Sequence, residues 1–297
     1  MKQEIKLVIT DSGLGGLSIC ADLVRRIQAI EPAENVTIKY INAVPENDRG
    51  YNSMSSRQEK ISTFRNFLAR VDELYAPDSI YIACNSLSVI YPETGHAGDS
   101  LTPVRGIVDT GVGLLRSAFD TEAGQGILIF ATPTTVDEGT YGKKLIAAGI
   151  PPAAIISQAC PELANTISND PGGQQVYDLI LEFAQEAMTK AARSFDRYLV
   201  YLGCTHYGYR QELFETVFSV LKTPARIVNP NRSAYQEILT LRPRPDEDER
   251  PGRVTVEFIT RYPIPQREIY TLSMYLSNIS PETVTALQNF TLKTDLF

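Results

Sequence analysis

The chain has 297 residues, of which 43% are hydrophobic and 21% are charged, and its formal net charge is −7 at pH 7. This composition is typical of a globular protein, and the length fits two domains of roughly 100–150 residues each. Because no basic stretch rivals the acidic ones, we expect neither a nucleic-acid partner nor a membrane partner. The first residues lack the apolar core of a signal peptide, and no apolar run approaches the about 20 residues that span a bilayer. We therefore expect a cytoplasmic protein.

Hydrophobic periodicity predicts strands that alternate with helices along almost the whole chain. The predicted strands cover 5–10, 36–42, 79–83, 106–108, 126–131, 154–158, 198–203 and 254–260, and the main predicted helices cover 17–29, 57–74, 174–194 and 267–277. This alternation is typical of an α/β fold with mainly parallel sheets flanked by helices, in which ligands bind at the carboxyl ends of strands. The segment 242–252 is rich in proline and charge and predicts a solvated surface loop.

Two short patterns recur in the same order and indicate an approximate internal duplication. Residues 81–86 (YIACNS) resemble 201–206 (YLGCTH), and residues 11–15 (DSGLG) resemble 109–113 (DTGVG). Each predicted half therefore carries a strand that ends in Asp-(Ser/Thr)-Gly-x-Gly and, later, a strand that ends in cysteine. We expect two similar α/β domains, one formed by 1–98 together with 211–297 and the other by 99–210.

Cys84 and Cys204 are the strongest candidates for chemistry. If the two halves face each other, these thiols lie at equivalent strand ends across a shared cleft. One thiolate could then remove a proton from a carbon while the other thiol protonates the opposite face, which inverts the stereocentre. A free thiol has a pKa near about 8.5, so modest tuning allows one thiol and one thiolate to coexist at neutral pH. The alternative is two buried cysteines without a chemical role.

Two polar side chains could assist these cysteines. His206 follows Cys204 by two residues and could stabilise its thiolate or accept its proton, although it could also be a structural histidine. Asp11 closes the first strand and could orient or deprotonate Cys84, or it could cap the next helix, as Ser12 could equally do. A dinucleotide site is not expected, because Ser18 occupies the third position of the Gly-x-Gly-x-x-Gly pattern.

The remaining cysteines and histidine receive structural interpretations. Cys20 lies on the apolar stripe of the first helix, and Cys160 has no acid–base neighbour in the sequence. We expect His96 to be exposed in a turn-rich connection. Four scattered cysteines and two histidines indicate neither a structural zinc site nor a disulfide framework.

Taken together, these motifs resemble the glutamate racemase branch of the aspartate/glutamate racemase superfamily. The matching segments are 11–16 (DSGLGG), 83–88 (ACNSLS), 131–136 (ATPTTV), 159–161 (ACP) and 202–207 (LGCTHY). The resemblance implies an isomerase that needs no cofactor or metal, with an active site in the cleft between two α/β domains. It also implies interconversion of L- and D-glutamate, with D-glutamate used for peptidoglycan of the cell wall, and a possible homodimer.

The resemblance assigns roles to residues at matching positions. Cys84 and Cys204 would be the acid–base thiols, with Asp11 assisting Cys84 and His206 assisting Cys204. The substrate's amino and carboxylate groups would be held by Ser12, Asn85, Ser86 and Thr205.

One segment departs from the family pattern. Where many members carry Pro-Tyr-Gly, residues 47–51 read NDRGY, which keeps Gly50 and Tyr51 in another order and adds Arg49. Changes in a polar pocket alter the accepted side chain more readily than the reaction class. Two alternatives therefore remain: the same chemistry on another amino acid, such as aspartate or a broad range, and a ligand-binding protein without turnover.

Overall fold

The computed structural model describes residues 4–30, 35–47, 50–120, 124–170, 172–191, 194–241 and 252–297. Arg49 and the predicted loop 242–252, apart from Gly252, lie outside the described residues. Within the described ranges, we find no helix with the length and apolar character that crossing a membrane requires.

Strands and helices alternate as the periodicity predicts. The strands are β1 (Glu4–Asp11), β2 (Asn35–Asn42), β3 (Ser79–Ile82), β4 (Val104–Gly106), β5 (Gln125–Ala131), β6 (Ile155–Ala159), β7 (Arg197–Gly203), β8 (Ala225–Val228), β9 (Val254–Thr260) and β10 (Thr291–Leu292). The helices are α1 (Leu17–Ala29), α2 (Arg57–Tyr75), α3 (Asn85–Ile90), α4 (His96–Asp99), α5 (Ile107–Ala118), α6 (Pro133–Glu138), α7 (Thr140–Ala147), α8 (Leu163–Asn169), α9 (Gln174–Lys190), α10 (Gln211–Val220), α11 (Ala234–Thr240), α12 (Gln266–Leu276) and α13 (Pro281–Gln288). Short 3-10 turns include Tyr51–Ser53 and Thr205–Arg210. The predicted strand 106–108 is instead β4 followed directly by α5, and α9 ends at Lys190 rather than at residue 194.

The chain forms two compact units, Met1–Ile107 with Asn231–Phe297 and Val108–Pro230. The first unit is discontinuous in sequence. We expected the domain boundaries after residues 98 and 210, but the units divide after Ile107 and Pro230 because of how the strands pair. β4 pairs with β3 and belongs to the first unit, whereas β8 pairs with β7 and keeps the chain in the second unit up to Pro230.

Each unit is built on a parallel sheet, so the predicted α/β fold class is confirmed. The described sheet of the first unit has the strand order β10-β9-β2-β1-β3-β4, and that of the second has β6-β5-β7-β8. All recorded pairings are parallel. The central strands β5 and β3 are buried along their whole length, as expected where helices cover both faces of a sheet.

The two sheets share a four-strand core, but part of the predicted duplication is wrong. The order β2-β1-β3-β4 matches β6-β5-β7-β8, so β1 corresponds to β5 and β3 to β7. Residues 109–113, which we matched to 11–15, lie inside α5, whereas residues 11–15 begin at the last residue of β1. Asp109 is solvent-exposed and pairs with Lys144, whereas Asp11 is buried. The position that corresponds to the end of β1 is therefore Ala131, at the end of β5.

His96 is buried, so the expectation that it is exposed is wrong. Its Nε2 lies 3.2 Å from Oδ2 of Asp72 on α2, and the hydroxyl of Ser100 donates to the same carboxylate oxygen at 2.6 Å. Burial lowers the pKa of His96. The turn-rich sequence around His96 gave no indication that α2 would cover it.

Candidate active site

Cys84 lies just beyond the carboxyl end of β3. Its neighbour is Ser12, which follows the carboxyl end of β1. The Sγ of Cys84 is 3.1 Å from Oγ of Ser12. Because β1 and β3 are parallel neighbours, their carboxyl ends share one edge of the sheet, which brings together two residues that are 72 positions apart. The thiol is buried, with 6% of the residue exposed.

Burial keeps the Cys84 thiol protonated, while hydrogen bonds prepare its site for a thiolate. Burial raises the pKa of Cys84 to about 12, and the nearby carboxylate of Asp11 acts in the same direction. The hydroxyl and the backbone N–H of Ser12 and the backbone N–H of Leu87 act in the opposite direction. A thiolate formed here would therefore be held by three donors.

Asp11 is buried at the end of β1 and does not cap the next helix. Its Oδ1 accepts a hydrogen bond from the backbone N–H of Gly13 at 3.2 Å. The N-cap of α1 is Gly16, and no side chain caps it, so the capping alternative for Asp11 and Ser12 is wrong. A Cβ at Gly16 would lie 2.9 Å from Oδ2 of Asp11 and 2.9 Å from Cβ of Ala83. The glycine therefore lets the helix start approach the carboxylate.

Cys204 occupies the corresponding strand end in the second unit, directly after β7. Nδ1 of His206 is 3.8 Å from Sγ of Cys204, which places an imidazole beside the thiol. Thr205 is buried next to it. The backbone N–H of Tyr207 donates to the carbonyl of Cys204 at 3.1 Å and fixes this turn.

The other two cysteines pack in the interior. Cys20 is fully buried on α1, as expected for a core residue, and burial raises its pKa to about 12. Cys160 follows β6, and its Sγ donates to the carbonyl of Gln158 at 3.5 Å. Its own carbonyl accepts a hydrogen bond from the hydroxyl of Tyr207 at 3.3 Å. In the described ranges, no cluster of three cysteine, histidine or acidic side chains could hold a metal ion.

The other described residues that we predict to bind substrate lie in the first unit. Asn85 and Ser86 form the first turn of α3 and are buried. Tyr51 begins a 3-10 turn after β2, and its ring packs edge-on against Phe64 at 6.3 Å between centroids. Gly50 precedes it with extended backbone. Cys204, Thr205 and His206 belong to the second unit, and Arg49 lies outside the described residues. All the other predicted site residues belong to the first unit.

Comparison with known proteins decides the family. No protein-family model matches the chain. A glutamate racemase from Picosynechococcus is 30% identical over 221 residues, which cover 73% of this chain and 70% of that protein. The chain belongs to the glutamate racemase family. A relative from Lysinibacillus sphaericus is 28% identical over 210 residues, which cover 70% of this chain and 72% of that glutamate racemase.

Solved structures of glutamate racemases have the same fold. The enzyme from Francisella tularensis, in complex with D-glutamate, aligns with a TM-score of 0.72 at 19% identity over 99% of both chains. The enzyme from Bacillus anthracis aligns with a TM-score of 0.71 at 19% identity over 94% of this chain and 96% of that one. The resemblance seen in the motifs and the prediction of an isomerase of the racemase class are therefore confirmed.

The sequence motifs of this glutamate racemase family member did not single out Arg261, a cationic residue in the unit that carries Cys84. Arg261 directly follows β9, which pairs with β2 in the first unit. Its Nη1 donates to the carbonyl of Pro45 at 2.7 Å, in the segment that leads to Tyr51. The available signal was a charged residue immediately after a predicted parallel strand, the position where such sheets bind ligands.

Proposed function

We propose that this chain interconverts L- and D-glutamate by a two-base mechanism in which Cys84 and Cys204 are the acid–base groups. The observation that carries the proposal is the equivalence of the two thiols. Each follows the same strand of a shared four-strand core, and each has a polar partner, Ser12 at 3.1 Å and His206 at 3.8 Å. A pair of buried structural cysteines would not require this arrangement.

The reaction conserves atoms and charge without a redox partner. The thiolate of one cysteine removes the α-proton, and the electron pair of the C–H bond delocalises into the α-carboxylate. The thiol of the other cysteine then delivers its proton to the opposite face of the α-carbon. The two cysteines exchange protonation states, so the enzyme after one turnover is ready for the opposite enantiomer.

The environments of the two thiols suggest their resting states. The raised pKa of Cys84 favours the thiol, which makes Cys84 the first proton donor. His206 lies where it can accept the proton of Cys204, which makes Cys204 the first base. For the reverse reaction, the ammonium group of the bound amino acid would favour the thiolate of Cys84.

The substrate contacts are proposed on the family resemblance and on their placement. Ser12, Asn85 and Ser86 lie next to Cys84, and Thr205 lies next to Cys204. Arg49, Gly50 and Tyr51 would complete recognition of the side chain. D-glutamate made in the cytoplasm would then supply peptidoglycan synthesis.

Loss of the α-proton NMR signal in deuterated buffer tests the reaction. With reduced protein and a panel of L- and D-amino acids, we expect exchange on both glutamate enantiomers. Exchange on aspartate or on another amino acid alone would retain the chemistry and replace the substrate. No exchange on any amino acid would contradict the proposal and favour a ligand-binding protein.

Single cysteine variants test the two-base mechanism. Cys84→Ser and Cys204→Ser should each lower racemisation by at least about 10²-fold, because a hydroxyl is a much weaker acid than a thiol. Cys20→Ala removes a buried thiol from the core of α1 and should retain the wild-type kcat. If either site variant also retains it, the two-thiol mechanism is wrong.

A further inference from the structure

The hydroxyl of Tyr51 and Nε of Arg261 are two of the buried polar atoms of the first unit that have no hydrogen-bond partner among the described residues. Tyr51 is only 2% exposed. Buried polar groups in native proteins are nearly always hydrogen-bonded, so these two donors point to a bound partner other than the described residues. A ligand anion or a buried water could fill that position.

The strand order places both donors beyond the carboxyl ends of strands in the same sheet whose strand β3 is followed by Cys84. Tyr51 lies in the connection after β2, and Arg261 lies directly after β9, which pairs with β2. β2 pairs in turn with β1, whose end carries the hydroxyl that contacts Cys84. The three groups also interact electrostatically: burial raises the pKa of Tyr51, Cys84 raises it further, and the guanidinium of Arg261 lowers it.

Arg261 is held in place by contacts with uncharged groups. Its Nη1 donates to the carbonyl of Pro45 at 2.7 Å, and its Cζ lies 4.6 Å from the centre of the Phe297 ring. No carboxylate of the described residues forms an ion pair with it. A fixed guanidinium with an unused N–H presents the planar donor set that suits a carboxylate.

We propose that Arg261, together with the hydroxyl of Tyr51, binds the side-chain carboxylate of the amino-acid substrate. This inference rests on the proposed racemase function and deepens it, because it makes Arg261 the residue that selects a dicarboxylic amino acid over its amide. Arg261 is thereby a specificity-determining residue near Cys84 and takes no part in proton transfer.

The hydrogen bond to Pro45 allows an alternative role, in which Arg261 only positions the segment that carries Tyr51. Glutamate and glutamine separate the two roles, because they differ in the side-chain charge and are nearly equal in size. Loss of a positioning contact weakens both amino acids equally. Loss of a carboxylate-binding cation weakens glutamate and spares glutamine.

The experiment compares Arg261→Gln with Arg267→Gln, which removes the same charge from an exposed position on α12. Calorimetry gives the Kd of glutamate and of glutamine for each protein, and α-proton exchange gives KM and kcat. We expect Arg261→Gln to raise the Kd and KM of glutamate at least about tenfold, as for loss of a hydrogen bond to a charged group, and to leave the Kd of glutamine within about twofold. Arg267→Gln should match the wild type.

Equal weakening of both ligands, or an unchanged Kd of glutamate, would overturn the proposal in favour of a positioning contact or a buried water. If Arg261→Gln does not fold, Arg261→Lys and Tyr51→Phe replace it. Both should weaken glutamate more than glutamine, and equal effects would again overturn the proposal. Exchange of the α-proton by the wild-type protein tests the racemase function separately. If the wild type exchanges no α-proton, the racemase function fails, and the Kd of glutarate, a dicarboxylate without an amino group, still decides whether Arg261 forms an anion site.

Discussion

The surroundings of Cys84 both raise and lower the pKa of its thiol, and the balance determines how the residue can serve in proton transfer. Burial and the Asp11 carboxylate favour the thiol, whereas the hydroxyl and backbone N–H of Ser12 favour the thiolate. A thiolate with a high pKa is a strong base, but it is formed rarely. The hydrogen bond from Ser12 therefore makes the thiolate more accessible without moving Cys84 into solvent.

Ser12→Ala removes that hydroxyl and should make the Cys84 thiolate harder to form. We expect the midpoint of iodoacetamide alkylation at Cys84 to move to higher pH, and kcat for racemisation to fall about tenfold. Mass spectrometry of the peptide that contains Cys84 measures the alkylation rate across pH. Ser62→Ala, on the exposed side of α2, should change neither quantity. An unchanged midpoint in Ser12→Ala would mean that the 3.1 Å contact does not stabilise the thiolate.

Among the elements, α5 illustrates how one sequence pattern can serve two structures. The pattern Asp-(Ser/Thr)-Gly-x-Gly follows β1 in the first unit, but in the second it lies within α5. Gly111 is needed there for close packing, because a Cβ at this position would lie 1.9 Å from the hydroxyl of Tyr201. That hydroxyl is buried and bonds to the hydroxyl of Tyr141 at 2.7 Å.

Gly111→Ala should destabilise the second unit by about 1–3 kcal/mol, since the added methyl group displaces Tyr201 and strains its hydrogen bond. Gly113→Ala, two residues further along the same helix, meets no atom within 4 Å. It should stabilise the protein by about 0.5–1 kcal/mol, because alanine favours a helix over glycine. Urea unfolding measures both free energies. Equal effects of the two substitutions would show that packing against Tyr201 is not the cause.

For the whole molecule, buried titratable groups should limit stability on both sides of neutral pH. Burial lowers the pKa of His96 below its usual 6.5; Arg65 acts in the same direction, and Asp72 and Asp99 oppose it. Below pH 6.5 the unfolded chain therefore binds a proton that the folded protein does not, and stability falls as the pH falls.

The alkaline limit has the opposite sign. Burial raises the pKa of Cys20 and of Cys84 from 9.0 to about 12. Above pH 9 the unfolded chain releases thiol protons that the folded protein keeps, so stability falls as the pH rises.

We expect the thermal unfolding midpoint to be highest between about pH 6.5 and 9. His96→Gln should flatten the acidic side of this profile, and Cys20→Ala the alkaline side. If both variants reproduce the wild-type slopes, other groups set the pH dependence. The homodimer stays a prediction, which sedimentation of the purified protein would test.

The sequence by itself determined most of the strands, the longest helices, the fold class and the two cysteine motifs, because side-chain periodicity and short motifs are local properties. Tertiary structure decided that His96 is buried against Asp72, that Ala131 rather than Asp109 corresponds to the end of β1, and that Arg261 lies near Tyr51. Each of these depends on which strands pair and which helices cover them. Such contacts join residues far apart in the chain, and their free energy comes from packing that no local pattern encodes.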